Sequence, residues 1–483
     1  MPNSLAFLMM TSWPLVTLAM YLRMPAKSAV IWSILLGYLV LPAGMVLDLP
    51  ALPGLSKHSI ASLFGYLYAT LLLGRRISFM PEGRVGRFLA ILILLSPFLT
   101  VVTNGDPIFI NSQKTLPGLR LYDAASMLVG QLGFLCIWAL AREFLRDTAT
   151  LRQLVTALVI AWLWYSLPML YEVRMSPQLH IRIYGFFQHD FAQMMRQGGF
   201  RPIVFLEHGL WIAILTSMSA MLCVVLGRSS PPDTARRYYM AAAYLMVVLI
   251  LCKSMASLLY AALLMPALIF LSGKRLGQIA MLMGVLILSY PILRTLDVIP
   301  TGTLVEMAGR ISDERAQSLQ FRFDNEDALL QHAMGRPLFG WGGWERSSIH
   351  DPLTGETVST TDGLWVIAMG YGGFAGFIAQ FGLLCLPIFM LGGIHRHAGR
   401  EVSILAGGVA VVLAVNLVDL LPNATITPVT WLITGGLLGY LEQLRKGVPE
   451  DETVMVAAPR RTGGVRPFAG LVGQPHTGPR SLL

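Results

Sequence analysis

Residues 363–391 contain no Asp, Glu, Lys or Arg. A run of that kind constrains the chain more than any motif does. Roughly 20 apolar residues suffice to cross the hydrocarbon core of a bilayer as a helix. Inside lipid every backbone amide must find its partner within the segment, which leaves helices rather than open strands. Twelve further runs are apolar with at most one Asp, Glu, Lys or Arg each: 4–22, 28–47, 59–74, 88–103, 121–141, 154–172, 203–227, 239–252, 255–272, 276–296, 402–421 and 426–442. Lys253 alone divides the stretch from 239 to 272. The chain therefore reads as an all-α polytopic membrane protein with about 12–13 transmembrane helices. Composition agrees, because 55% hydrophobic and 13% charged residues in 483 cannot cover a soluble surface of that size.

The positive residues set an expected orientation. One alternating set of loops carries Arg23 and Lys27; Arg75, Arg76, Arg84 and Arg87; Arg142, Arg146 and Arg152; Arg228, Arg236 and Arg237; Lys274 and Arg275; and Arg396 and Arg400. Short basic loops stay in the cytoplasm. The N-terminus then lies outside, and it lacks the basic start of a cleaved signal peptide. Residues 1–442 form the expected bundle. The segment 443–483, rich in Gly, Pro and Arg, reads as a disordered basic tail on the inner side. Cys136, Cys223, Cys252 and Cys385 sit in or beside apolar runs with no metal spacing, and read as small core residues. The expected location is a membrane that the chain crosses many times.

Two loops on the outer side are long, 173–202 and 297–362. The first carries Arg174, Arg182, Arg196 and Arg201 against the single acid Asp190. Guanidinium forks match phosphate oxygens. Contact with lipid headgroups accounts better for Arg174 and Arg182; an anion site is favoured for Arg196 and Arg201. The next span opens RPIVFLEHG, which puts Glu207 and His208 about two turns inside it, where ionisable groups are costly and tend to be functional. Pairing of Glu207 with an arginine is the structural alternative.

In the second loop residues 312–334 read as a helix, with Ser312 as its cap, Asp313 and Glu314 in its first turn, and Gly335 and Pro337 ending it. Arg315 and Arg322 are seven apart and share a face. They form a diphosphate clamp or pair with the loop's own acids; the two readings weigh evenly. Gly340 and Gly342, in PLFGWGGW, allow close backbone approach to a ligand or simply a tight turn. Asp362 stands at the entrance to the next span, either as a base for a sugar hydroxyl or as a helix cap. No P-loop, dinucleotide fingerprint, zinc spacing or nucleic-acid signature is present, so no metal or cofactor is expected.

Taken in order, these residues resemble the O-antigen ligase and O-antigen polymerase family of bacterial polysaccharide membrane proteins. Arg201 opens a mid-chain span. A helix bearing Arg315 and Arg322 leads to Pro-Leu-Phe-Gly-x-Gly from Pro337 to Gly342. Gly373 and Gly376 follow one helix later. The resemblance covers roughly residues 190–440. It implies a metal-independent glycosyltransferase taking a polyprenyl-diphosphate-linked glycan at the outer face, with a glycan or lipid acceptor and membrane lipids as partners, beside other polysaccharide assembly proteins. Arginines would hold the diphosphate, with Arg196, Glu207, His208, Gly340 and Gly342 lining the same substrate site. Ligases of the family carry a histidine at the entrance to the span after the large loop. Asp362 stands there instead, and His350, twelve residues earlier, is the other candidate base. Polymerase and ligase chemistry both remain open. The alternatives are a transporter or flippase of an anion or lipid-linked sugar, and a non-catalytic subunit of an export complex.

Overall fold

A computed structural model describes residues 1–48, 54–196, 198–310, 312–398 and 402–446. The expected tail from 447 onward, together with the side chains of Arg396 and Arg400, lies outside the described residues. Sixteen α-helices follow in order: α1 (Ser4–Arg23), α2 (Ala26–Val40), α3 (Ile60–Leu71), α4 (Arg84–Val102), α5 (Leu121–Phe144), α6 (Thr148–Met175), α7 (Leu179–Tyr184), α8 (Gly209–Arg228), α9 (Pro232–Leu251), α10 (Met255–Phe270), α11 (Gly273–Thr295), α12 (Thr301–Gly309), α13 (Asp313–Ala333), α14 (Leu364–Ala398), α15 (Ile404–Asp419) and α16 (Pro428–Arg445). The strands among the described residues are three antiparallel ladders of two residues a side. The described residues are all-α in class, and eight of the helices among them are long and apolar enough to cross a membrane. Four further apolar helices, α2, α3, α10 and α15, are shorter.

Contacts between loops sort the helix ends into two sets. At one end, Lys27 pairs with Asp147 at 2.9 Å and Lys446 with Glu82 at 2.5 Å. Arg142 reaches Glu442 at 2.7 Å and also donates to the Ser78 carbonyl. Arg152 donates to the Ser229 carbonyl, and Arg228 to the carbonyls of Leu268 and Leu271. At the other end, Asn3 meets Tyr184, Lys57 meets Phe205, Arg336 meets Asp106, Arg201 meets Cys252 and Arg322 meets Asn423. Thirteen helices alternate between these ends, while α7, α12 and α13 belong to the second. Those of the residues expected in the basic loops that are described fall at the first end.

Several helix starts carry the side-chain acceptors that orphan amides need. Asp147 accepts from the Thr150 amide, Ser403 from Ala406 and Ser312 from Arg315. The expected helix 312–334 is therefore present as α13. The division at Lys253 holds, because the chain turns between α9 and α10 with Lys253 at φ +53°. Span 203–227 needs correction: α8 begins only at Gly209. Glu207 and His208 lie in irregular backbone before it, not two turns inside.

Within lipid little separates one apolar surface from another, so close backbone approach carries the packing of helices. Gly435 and Gly439 of α16 lie against α5, where an added Cβ would stand 2.4 Å from the Trp138 carbonyl oxygen and 2.3 Å from that of Arg142. The four cysteines are buried and unpaired, as expected.

α14 is broken at Gly373, with φ +62° and ψ −161°. The break frees backbone groups that a bilayer cannot satisfy. The loop after α13 satisfies them. Phe374 and Ala375 donate to the carbonyls of Pro337 and Leu338 at 2.7 and 3.0 Å. Trp341 and Gly342 donate to those of Gly370 and Tyr371 at 2.7 and 3.0 Å. Gly340, at φ +67°, sits so close to this joint that a Cβ would lie 2.6 Å from the amide nitrogens of Gly372 and Gly373.

Candidate anion site

Residues 201–208, which lead into α8, are irregular yet mostly buried, so their polar backbone must be answered from outside. The Glu172 carboxylate of α6 accepts from the amides of Ile203 and Val204, at 2.9 and 2.7 Å. Lys57 donates to the Phe205 carbonyl at 2.6 Å, and Gln188 donates to the carbonyls of Val204 and Leu206. This clamp holds residues 203–206, which lie between Arg201 and His208.

Arg201 is 4% exposed. Its Nε donates to the Cys252 carbonyl at 3.3 Å, and no carboxylate pairs with it among the described residues. Burial lowers its pKa to about 10, and the positive charges of Arg196 and Arg322 add to the effect. His208 caps α8, its Nδ1 accepting from the Leu210 amide at 2.9 Å, while Nε2 lies 3.3 Å from Gln193 Oε1. Burial pushes His208 down to about 3, helped by Arg201, His189, Arg196 and Arg322, so the imidazole is neutral near pH 7. Residues from two distant segments thus act on one another: His189, Arg196, Arg201 and His208 before α8, and Arg322 of α13. Lys253 joins them by donating to the Arg196 carbonyl at 2.7 Å. Guanidiniums repel when brought together, and one buried without a counter-charge costs several kcal/mol, on the order of the penalty for an unpaired buried ion. An anion with two or more charges relieves that cost, and arginine forks favour phosphate oxygens.

No family model matches the chain, and no curated protein matches it.

Around this centre the expected residues separate. Asp362 stands 3.7 Å from Arg322 Nε, with its side chain 35% exposed, and lines a small pocket with Arg322, Glu326, Tyr290 and Thr360. It makes no capping bond to α14 among the described residues. Arg196 is exposed. Arg315 has no side-chain partner among the described residues and is not among the charges acting on Arg201 or His208; the shared helix face does not bring it to the cluster. Glu207 pairs with His58 at 2.9 Å and lies 3.7 Å from Lys57, so its partners are not arginines. His350 belongs to a different group, 3.4 Å from Glu345, which Lys114 holds at 2.7 Å. Gly340 meets the broken α14, and a Cβ on Gly342 would lie 2.6 Å from a Leu119 methyl. Both glycines face the protein's own chain.

Arg174 is exposed and Arg182 lies over the Tyr171 ring, a surface placement for both. No group of three metal-ligating side chains occurs among the described residues. Sequence reasoning missed Lys57, His58, Lys253, Asp419 and Asn423. An acid closing an apolar run, as Asp419 does, was the available signal.

Proposed function

We propose that the chain is a metal-independent membrane glycosyltransferase. It polymerises or ligates polysaccharide repeat units from a polyprenyl-diphosphate-linked donor at the outer face of a bacterial cytoplasmic membrane. One observation carries the proposal: Arg201 is buried without a counter-ion, beside Arg196 and close enough to Arg322 to feel its charge. That arrangement waits for a polyanion. The apolar helices around it suit a donor whose tail lies in lipid. The first end of the bundle holds the residues of the short basic loops, which by the positive-inside rule is cytoplasmic; the arginine site is at the opposite end. Thirteen crossings follow from the same alternation.

During transfer, Arg201 and Arg322 stabilise charge on the departing diphosphate, the kind of electrostatic contribution that dominates many enzymes. Asp362, beside Arg322, takes the proton of the attacking acceptor hydroxyl. A second reading, a transporter, draws on the broken α14, since transporters build ion sites at such breaks. Here the freed backbone groups are already bonded to residues 337–342, which favours the enzyme.

The test is glycan assembly in cells lacking the native gene and supplied with variants at equal protein level. Arg201→Ala, Arg201→Lys and Arg322→Ala each lower polymer by roughly 100-fold or more, lysine failing because it lacks the bidentate fork. Normal polymer from both alanine variants would refute the site.

A further inference from the structure

At the turn between α15 and α16 a line of hydrogen bonds leads to Arg322. The Asp419 carboxylate is 2% exposed and accepts from the Thr425 hydroxyl at 2.8 Å. It also accepts from Asn423 Nδ2 at 3.1 Å. Asn423, 5% exposed, accepts in turn from Arg322 Nη1 at 3.1 Å through its own Oδ1. The same Nη1 donates to the Pro422 carbonyl at 3.1 Å.

A carboxylate only accepts, so Asp419 dictates which way the Asn423 amide points: NH2 toward the acid, oxygen toward the guanidinium. The pin engages one nitrogen alone. Nη2 of Arg322 makes no bond among the described residues, and Nε faces Asp362 at 3.7 Å, beyond hydrogen-bond reach. Two adjacent N–H groups on one edge of a guanidinium are what binds an oxyanion bidentately. Holding Nη1 from behind leaves the Nε–Nη2 edge to do this.

We infer that Asp419 and Asn423 are positioning residues, which hold Nη1 of Arg322 so that its Nε–Nη2 edge receives the phosphate oxygens of the lipid-linked donor. The inference rests on the glycosyltransferase reading of the arginine site. It adds that the α15–α16 turn, which supplies no cation, sets the affinity for the diphosphate.

The full chain in lipid nanodiscs is titrated with undecaprenyl diphosphate as the probe. Wild type binds, and Arg322→Ala weakens binding. Asn423→Ala weakens it by roughly tenfold, the scale of one misplaced charge-assisted bond. In the Arg322→Ala background Asn423→Ala adds nothing, because the residue acts only through that arginine. The exchange D419N/N423D recovers affinity, since amide and carboxylate have traded places and a hydrogen bond still joins them. Three results overturn the inference alone: Asn423→Ala binding as wild type while Arg322→Ala does not, additive losses in the double variant, or an exchange variant as weak as the single ones. Failure of wild type to bind the probe overturns the glycosyltransferase reading beneath it, and the inference with it.

Discussion

Both ends of the bundle are rich in arginine, but they treat it differently. At the end holding the basic loops, Arg142 is buried and matched: Glu442 faces it at 2.7 Å, and the Glu82 amide donates to the other carboxylate oxygen at 2.6 Å. At the opposite end Arg201 is equally buried and has no acid among the described residues. A matched buried pair is self-sufficient; an unmatched buried cation gains most from an anion beside it. Counting arginines per loop cannot tell the two apart. Only the disposition of acids in space does.

The largest effect on stability is expected where the match is broken. Arg142→Leu strands Glu442 in the interior and destabilises the protein by about 3–5 kcal/mol. Arg201→Leu removes a charge that nothing balances, so it leaves the melting temperature of the detergent-solubilised protein unchanged or raises it, while abolishing polymer. Similar losses of melting temperature in both variants would erase the contrast between the two ends.

A pH scan sharpens it at Glu207. Burial there opposes ionisation, but Lys57 and His58 outweigh it and hold the carboxyl down to about 2. A carboxyl depressed in the folded state stabilises above its ordinary pKa of 4.5 and loses that contribution as pH falls from about 4.5 to about 2. Glu207→Gln should therefore show a shallower fall in melting temperature across that window than wild type. Parallel curves would mean that the cluster is not ionised as paired.

The smallest stability effect is expected at Asp362. Its pairing with Arg322 is long and partly exposed, a kind of contact worth about 1 kcal/mol at most. Asp362→Asn should melt as wild type yet make no polymer, whereas His350→Gln makes normal polymer. Normal polymer from Asp362→Asn would remove it as the base.

The helices were legible because lipid imposes a length and an apolar composition that any reader can count. Their starts were less so: the run from 203 looked helical by composition, but Glu172, Lys57 and Gln188 hold its first residues in another conformation, and no local pattern announces such remote partners. The arginine pair Arg315 and Arg322 shows the same limit. Spacing set them on one face, yet only Arg322 meets the loop that carries Asn423. The glycines of PLFGWGGW allowed either a ligand or a tight turn; in space Gly340 approaches α14, a helix not yet synthesised when it emerged, and Gly342 meets Leu119.

That order of synthesis has a consequence for biogenesis. Residues 337–342 leave the ribosome before α14 does, so the piece that completes the helix precedes the helix it completes. In the proposed orientation, the interruption of α14 at Gly373 is tolerable in the membrane only if the earlier segment has already reached the outer side and docks there. A chain whose large loop failed to translocate would hold open amides and carbonyls in hydrocarbon. Such a chain is a substrate for proteolysis rather than a slow folder. In that orientation the joint closes only in molecules whose loop and helix end have arrived on the same side.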